Sequence, residues 1–263
     1  MTCAIAVALL LVRASPIHAQ PIVIGATQTD VATAGDGLGT GTVVFETGAG
    51  DDMRTWAPIL GKVSRFNRTF AYNRLGYGKS GPRPANPDAE SVARHLHAVL
   101  EQNGAPRPWT LVGHSMGGAY AVTFARLYPR DVGALVLIDG TPPGHIQMLK
   151  AEIPGTYNLL KALVGLAGGN IKAEIKAAED GGTKFARLPP FPDVPIYLLR
   201  RTKWERLDTL QFRRRVVEMQ KEVAALSPCP TEKAVLMAGH YIHRDQPGVV
   251  IDTIRKAVAR PHC

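Results

Sequence analysis

Residues 111–120 read LVGHSMGGAY. An apolar, strand-like run leads into Ser115 and a helix-like run leads away from it. Gly113 stands two places before the serine and Gly117 two places after it. A strand that turns abruptly into a helix crowds backbone around the turn. Glycine is needed where a Cβ would strike that backbone, which accounts for both flanking positions. The turn lifts the serine hydroxyl to the C-terminal edge of a sheet. The helix that starts there has free N–H groups in its first turn and the positive end of its dipole, and both suit an oxyanion. The spacing alone can arise by chance, so the flanking chain has to supply the context.

That context is an alternation of strand and helix signals from Thr42 onward. TVVFE (42–46) is a β-branched strand, and residues 52–66 carry Trp56, Ile59, Leu60 and Val63 at helical spacing. TFAYNR (69–74) is the next strand, stopped by the Gly- and Pro-rich LGYGKSGPRP. Asp88 can cap a helix bearing Val92, Leu96, Val99 and Leu100 on one side. WTLVG (109–113) is a strand and 116–128 a helix. ALVLID (134–139) has the continuous apolar character of a strand buried on both faces. VPIYLL (194–199), a helix over 205–226, KAVLMA (233–238) and a helix over 247–259 complete the pattern. Alternation of this kind predicts an α/β fold, a mostly parallel sheet with helices on both faces. Residues 141–193 interrupt the rhythm with short helical pieces between Gly and Pro, and read as a helical cap inserted over one end of the sheet.

The 263 residues include 31 Lys and Arg against 22 Asp and Glu, a formal charge of +9. No nucleic-acid motif accompanies that excess, so it reads as a basic solvated surface. Arg213-Arg214-Arg215 reads as the wet face of a helix. At the N-terminus, CAIAVALLLV (3–12) is too short to span a bilayer and leads to Ile17-His18-Ala19, a small-residue end of the kind a signal peptidase cuts. Residues 1–19 therefore read as an export signal and 20–263 as the mature chain. The usual positive charge before the apolar run is missing. No later segment is a transmembrane candidate. The mature chain keeps Cys229 and Cys263. The last helix should run back toward the loop that feeds the last strand, so these two are expected to pair in an oxidising compartment.

A serine hydroxyl needs a base to take its proton and an acid to hold that base. His240, in AGHYIHRDQP, follows the last strand and precedes the final helix. The chain here resembles the α/β-hydrolase superfamily, as a serine esterase or lipase-like member. The resemblance rests on Thr47-Gly48-Ala49-Gly50 after the third strand, YNRLGYGKSG (72–81), GHSMGG (113–118), LVLID (135–139) and GHYIHRDQP (239–247), and covers Thr42 to Ala259. It implies Ser115 as nucleophile, His240 as base, and an oxyanion hole from the N–H groups of Ala49 and Met116. The family's usual His-Gly after the third strand is Thr47-Gly48 here, which backbone donors tolerate. The acid stays open. The family often places an Asp shortly after the seventh strand, but RRTKWERLDTL (200–210) offers only Glu205 and the later Asp208. Asp139, at the end of the sixth strand, is the favoured acid, with Asp208 and Glu205 as alternatives.

His243 is a competing base, His114 is expected to pack against neighbouring loops, and His145, at the start of the insertion, is expected to be a surface helix residue, with contact to a substrate as the alternative. Gly37, Gly39 and Gly41 precede a strand rather than follow one, so they mark a turn and not a dinucleotide loop. No His, Cys or Asp cluster has metal-ligand spacing, and no cofactor is called for. Asn67-Arg68-Thr69 is a glycosylation sequon. The expected activity is hydrolysis of a small-molecule carboxylic ester through an acyl-enzyme. The other readings are hydrolysis of an amide, lactone or carbon–carbon bond, or ligand binding without turnover on the same fold. Dehalogenase and epoxide-hydrolase relatives use an Asp nucleophile, so Ser115 disfavours those chemistries.

Overall fold

The computed structural model describes residues 18–35 and 37–263. Its chain runs β1 (His18–Ile24), β2 (Thr27–Ala34), β3 (Thr42–Glu46), a 3₁₀ turn (Met53–Trp56), α1 (Ala57–Val63), β4 (Arg68–Tyr72), α2 (Ala89–Gln102), β5 (Trp109–His114), α3 (Met116–Leu127) and β6 (Val132–Ile138). It continues with α4 (His145–Glu152), α5 (Pro154–Gly165), α6 (Gly169–Ala177), α7 (Gly181–Ala186), β7 (Ile196–Arg201), α8 (Leu210–Ala224), β8 (Thr231–Val235), α9 (Ile242–Asp245) and α10 (Pro247–Ala259). The strands form one eight-stranded sheet in the order β1-β2-β4-β3-β5-β6-β7-β8. β2 is antiparallel to both neighbours, and every pairing from β4 across to β8 is parallel.

The strand period of two divides the core between the sheet's faces. Val44, Leu111, Leu135, Leu137, Ile196 and Leu198 pack with residues of α2, α3 and α8. Their alternates Val43, Phe45, Val112, Val136, Ile138 and Leu199 pack with α1, α10 and Trp56. Burial on both faces is why the central strands are almost continuously apolar. α4 to α7 form the cap, held by a small core of its own around Ile146, Leu149, Ile153 and Tyr157, with Val216 of α8.

Element ends depart from the sequence pattern for local reasons. The helix expected over 52–66 starts as a 3₁₀ turn capped by Asp52, whose side chain accepts from Arg54 N–H, and Pro58 opens the α-helix proper. The strand expected at 194–199 lies at 196–201, because Pro195 has no N–H for a ladder. The helix expected from 205 begins at Leu210, where the Thr209 hydroxyl accepts from Phe212 N–H. The last strand ends at Val235 instead of 238, and the apolar Leu236 and Met237 are about three-quarters exposed in the turn beyond it.

The expected leader falls outside the described residues apart from His18 and Ala19, which open β1. Cleavage before Gln20 would leave Gln20–Ile24 still paired with Thr27–Val31. Among the described residues, no helix is long and apolar enough to cross a membrane. Cys229, ahead of β8, is bonded to Cys263, beyond α10. The bond closes a loop spanning 34 positions, so chain-entropy reasoning assigns it roughly 3–4 kcal/mol. Reduction should lower the thermal midpoint by several degrees, about 2–4 °C per kcal/mol for a chain of this size, and a midpoint unmoved by reductant would contradict the bond.

Candidate active site

The elbow takes its shape from backbone contacts that only glycine permits. A Cβ on Gly113 would stand 2.5 Å from Gly117 O, and one on Gly117 would stand 2.3 Å from Glu46 O. Ser115 sits between β5 and α3 with φ 51° and ψ −125°. Its carbonyl accepts from Gly118 N–H and Thr141 N–H, at 2.8 and 2.7 Å, which fixes the turn. Asp139 follows β6 with φ 43°. Non-glycine residues rarely occupy this region, and strain held there by surrounding structure concentrates at functional positions.

The three elements bring Ser115, Asp139 and His240 to one sheet edge. His240 Nδ1 lies 2.6 Å from Asp139 Oδ2. A carboxylate accepts, so Nδ1 carries the proton and Nε2 keeps its lone pair. Gln220 of α8 donates from its amide to Asp139 Oδ1 at 3.2 Å and to Gly140 O at 3.1 Å. Arg201, at the end of β7, places Nε 3.3 Å from Asp139 Oδ2. Burial pushes the Asp139 carboxyl up. The His240 hydrogen bond and the charges of His240 and Arg201 outweigh it and hold the group below its usual range.

A cavity of about 250 Å³ opens between this edge and the cap. Ser115, Asp139 and His240 line it with Ala49 and Met116, and Ile146, Leu160, Ile175, Phe212 and Val216 supply apolar wall. Gly48 abuts the serine, since a Cβ there would be 3.1 Å from Ser115 Cβ. Met116 N–H belongs to the first turn of α3 and has no intrahelical acceptor. The edge thus brings a hydroxyl, an imidazole and two loop backbones to one cavity, the kinds of group acyl transfer needs.

The alternative acids lie elsewhere. Glu205 is exposed. Asp208 accepts from Glu205 N–H at 2.8 Å and sits 3.6 Å from Arg201 Nη1. Neither lines the cavity. His114 packs as expected, fully buried, with its Nε2 donating to His240 O at 3.0 Å, so it holds the loop that carries His240. His145 follows the alternative reading, not the surface one. Its ring walls the cavity, Nδ1 is buried without a hydrogen-bond partner, and burial, with Arg201 nearby, pushes its pKa to about 4. α4, the first helix of the cap, turns that face inward toward the sheet edge.

His243 faces away from the cavity. It is buried with Nε2 3.2 Å from Thr55 Oγ1 and its ring 4.7 Å from the Trp56 ring. Burial, with Arg244 and His240 beside it, drives its pKa to about 3. The unfolded chain protonates near 6.5, so the stability tied to neutral His243 is complete above that pH. It is lost as pH falls from 6.5 toward 3, by about 1.4 kcal/mol per unit. His243→Gln should therefore flatten the fall of the thermal midpoint in acid, measured against its own value at pH 7. An unchanged acid slope would count against a neutral buried His243.

Sequence reasoning missed Arg201 and Gln220. Gln220 carried a usable signal, because it interrupts the buried stripe Val216, Gln220, Val223 on α8 with a polar side chain. Such a residue needs a buried partner, and the partner is Asp139. Among the described residues, no group of three or more His, Cys, Asp or Glu side chains is arranged to hold a metal ion.

Comparison with known proteins agrees with this architecture. The profile described as alpha/beta hydrolase fold matches residues 41–168. A 2-hydroxy-6-oxononadienedioate/2-hydroxy-6-oxononatrienedioate hydrolase of Paraburkholderia phymatum is 35% identical over 147 residues, 54% of this chain and 49% of that protein. The chain spans less than half the length of the curated relatives it matches first. Among solved structures, an epoxide hydrolase superposes with a TM-score of 0.68 at 16% identity, covering 93% of this chain and 99% of that one. A thermophilic esterase from Thermogutta terrifontis superposes with a TM-score of 0.63 at 19% identity, covering 94% and 100%. With the sheet order, the elbow and these likenesses together, the chain has the alpha/beta hydrolase fold.

Proposed function

We propose that the protein is a serine hydrolase of carboxylic esters. The observation that carries this reading is the Asp139–His240 pair at 2.6 Å, on the same cavity as a serine held at a strained elbow. Ser115 Oγ attacks the ester carbonyl carbon while His240 Nε2 takes its proton. The carbonyl electron pair moves to oxygen, and the N–H groups of Ala49 and Met116 hold the oxyanion. Collapse breaks the bond to the alcohol, which leaves with the proton from His240. Water then attacks the acyl-enzyme by the same route and frees the acid. Asp139 holds the imidazole's orientation and compensates its charge while it is protonated. The apolar wall of the cavity suits an uncharged acyl or alcohol group.

The experiment is a panel of nitrophenyl esters of rising acyl length, run with fluorophosphonate labelling of wild type and His240→Ala. Ester turnover and labelling that depends on His240 are expected. Protein that is neither labelled nor active would sink the reading. A second reading, cleavage of another acyl bond, draws on the Paraburkholderia relative, whose name specifies a hydrolase of an oxo-dienedioate. Labelled protein inert to every ester would favour it. We further propose export, supported by the leader-like residues 1–19 and by the Cys229–Cys263 bond, which persists in oxidising compartments.

A further inference from the structure

A buried cation that takes no part in the steps above holds the loop carrying one oxyanion donor. Arg74, in the turn after β4, is 4% exposed. Its Nη1 contacts Thr47 O at 2.7 Å, Thr47 Oγ1 at 2.6 Å and Glu46 Oε1 at 2.7 Å, and its Nη2 donates to Gly48 O at 2.7 Å. Its Nε donates to Glu174 Oε1 at 2.8 Å. Glu174 belongs to α6 of the cap, a hundred residues away in sequence, and is the buried residue of that helix. Its other oxygen accepts from Tyr77 OH at 2.8 Å, and the same hydroxyl accepts from Gly50 N–H at 3.1 Å.

These contacts bracket Ala49. The carbonyls of Thr47 and Gly48 are fixed on one side of it and the N–H of Gly50 on the other. Gly48 C=O and Ala49 N–H belong to one trans peptide and point in opposite directions. Anchoring the carbonyl on Arg74 therefore turns the Ala49 N–H away from Arg74. Among the described residues, no protein acceptor takes that N–H, while Ala49 and Ser115 share the cavity wall. A buried guanidinium flanked by two buried carboxylates is costly unless every member is paired. The cap residue Glu174 supplies one of those pairings.

We propose that Arg74 is the positioning residue of the oxyanion hole, and that Glu174 carries the docking of the cap into it. With the cap seated, Glu174 fixes Arg74 and Tyr77, and these two hold the Thr47–Gly50 peptides so that the Ala49 N–H faces the reacting oxygen. The proposal rests on the serine-hydrolase reading. A tie that only fastened cap to core would act on stability and on KM. A tie that aims a transition-state donor acts on kcat.

The test compares full-length wild type, Arg74→Lys, Tyr77→Phe, Glu174→Gln and the Arg74→Lys/Glu174→Gln double variant. Each is assayed for kcat and KM on nitrophenyl acetate and for the rate at which a fluorophosphonate labels Ser115, below its own thermal midpoint. The phosphoryl oxygen of the probe occupies the same hole, so labelling reports the donor independently of the ester. Loss of a whole oxyanion donor costs about 10²–10³ in rate. A displaced one should cost less, so Arg74→Lys is expected to slow kcat and labelling together by about tenfold or more, with KM within about threefold. Tyr77→Phe and Glu174→Gln should slow both by smaller factors. The double variant should be little slower than Arg74→Lys alone, because Glu174 acts through Arg74. Folded Arg74→Lys with kcat and labelling within twofold of wild type overturns the proposal, as does a rise in KM alone. Additive slowing in the double variant, or faster turnover in Glu174→Gln, also overturns it. If Arg74→Lys does not fold, Tyr77→Phe and Glu174→Gln decide by the same criterion. Wild type that is neither labelled nor active on esters removes the serine-hydrolase reading and this one with it. Labelled wild type with an unslowed Arg74→Lys removes this one alone.

Discussion

Ser115→Ala is expected to lower turnover of a nitrophenyl ester by about 10⁴-fold or more while leaving the thermal midpoint almost unchanged. In the proposed mechanism the change removes the atom that forms the acyl bond, after which only binding and oxyanion stabilisation remain. The stability argument is separate. Ser115 Oγ has no hydrogen-bond partner among the described residues, so its removal strands no buried polar group. Alanine meets the same φ of 51° as serine, so the strain is carried over without increase. Surface-type substitutions of this kind usually stay within about 0.5 kcal/mol. Folded, monodisperse Ser115→Ala that kept most of its activity would remove the serine from the mechanism. A large drop in midpoint would instead show that the hydroxyl supports the elbow.

The residues around that elbow were legible because sterics leave them little choice. Gly113 and Gly117 face backbone at 2.5 and 2.3 Å, so the spacing of the glycines reported the turn directly. The central strands were legible for a similar reason. β3, β5 and β6 are buried along their whole length, and that position demands an unbroken apolar run. The edges of the sheet were not legible. β1 is mostly exposed, and the TQTDVATA of β2 alternates too weakly to announce a strand. At the other edge Leu236 and Met237 extend an apolar run past the true end of β8, and the pattern read them as strand. The site divides in the same way. His240 follows a glycine in a fixed frame, whereas the inward turn of His145 depends on how α4 packs within the cap, a tertiary fact without a local signature. Arg74 stood in a motif that sequence could quote, but its partner Glu174 lies on a helix whose other residues stay at least partly exposed. Nothing local tells that glutamate from its solvated neighbours.

Asp139→Asn should lower kcat by about 10²–10⁴-fold, far more than Asp208→Asn or Glu205→Gln, each of which should stay within a few-fold of wild type. The size of the effect follows from what surrounds the carboxylate. Asp139 accepts on one oxygen from Gln220 and on the other from His240 Nδ1, with Arg201 Nε also 3.3 Å from the second. Gln220 and His240 both donate and Arg201 adds a positive charge, so a carboxylate suits all three and an amide cannot. If the amide nitrogen of the Asp139→Asn variant faces His240, it donates to Nδ1. The imidazole is then held with its proton on Nε2, where it cannot accept one from serine. If the amide turns over, its nitrogen confronts the Gln220 amide nitrogen, which cannot turn in response because it is also bonded to Gly140 O. In both orientations the negative charge opposite the developing imidazolium is gone. Asp208 differs in each respect. It accepts from Glu205 N–H and approaches Arg201 from outside the cavity, so its neutralisation leaves the His240 tautomer alone. Kinetics on the three purified variants, with circular dichroism to verify folding, give the ranking. If Asp208→Asn proved as damaging to kcat as Asp139→Asn with KM unchanged, the acid would have to be moved to the segment after β7, and Arg201 would then be the residue that links the two carboxylates.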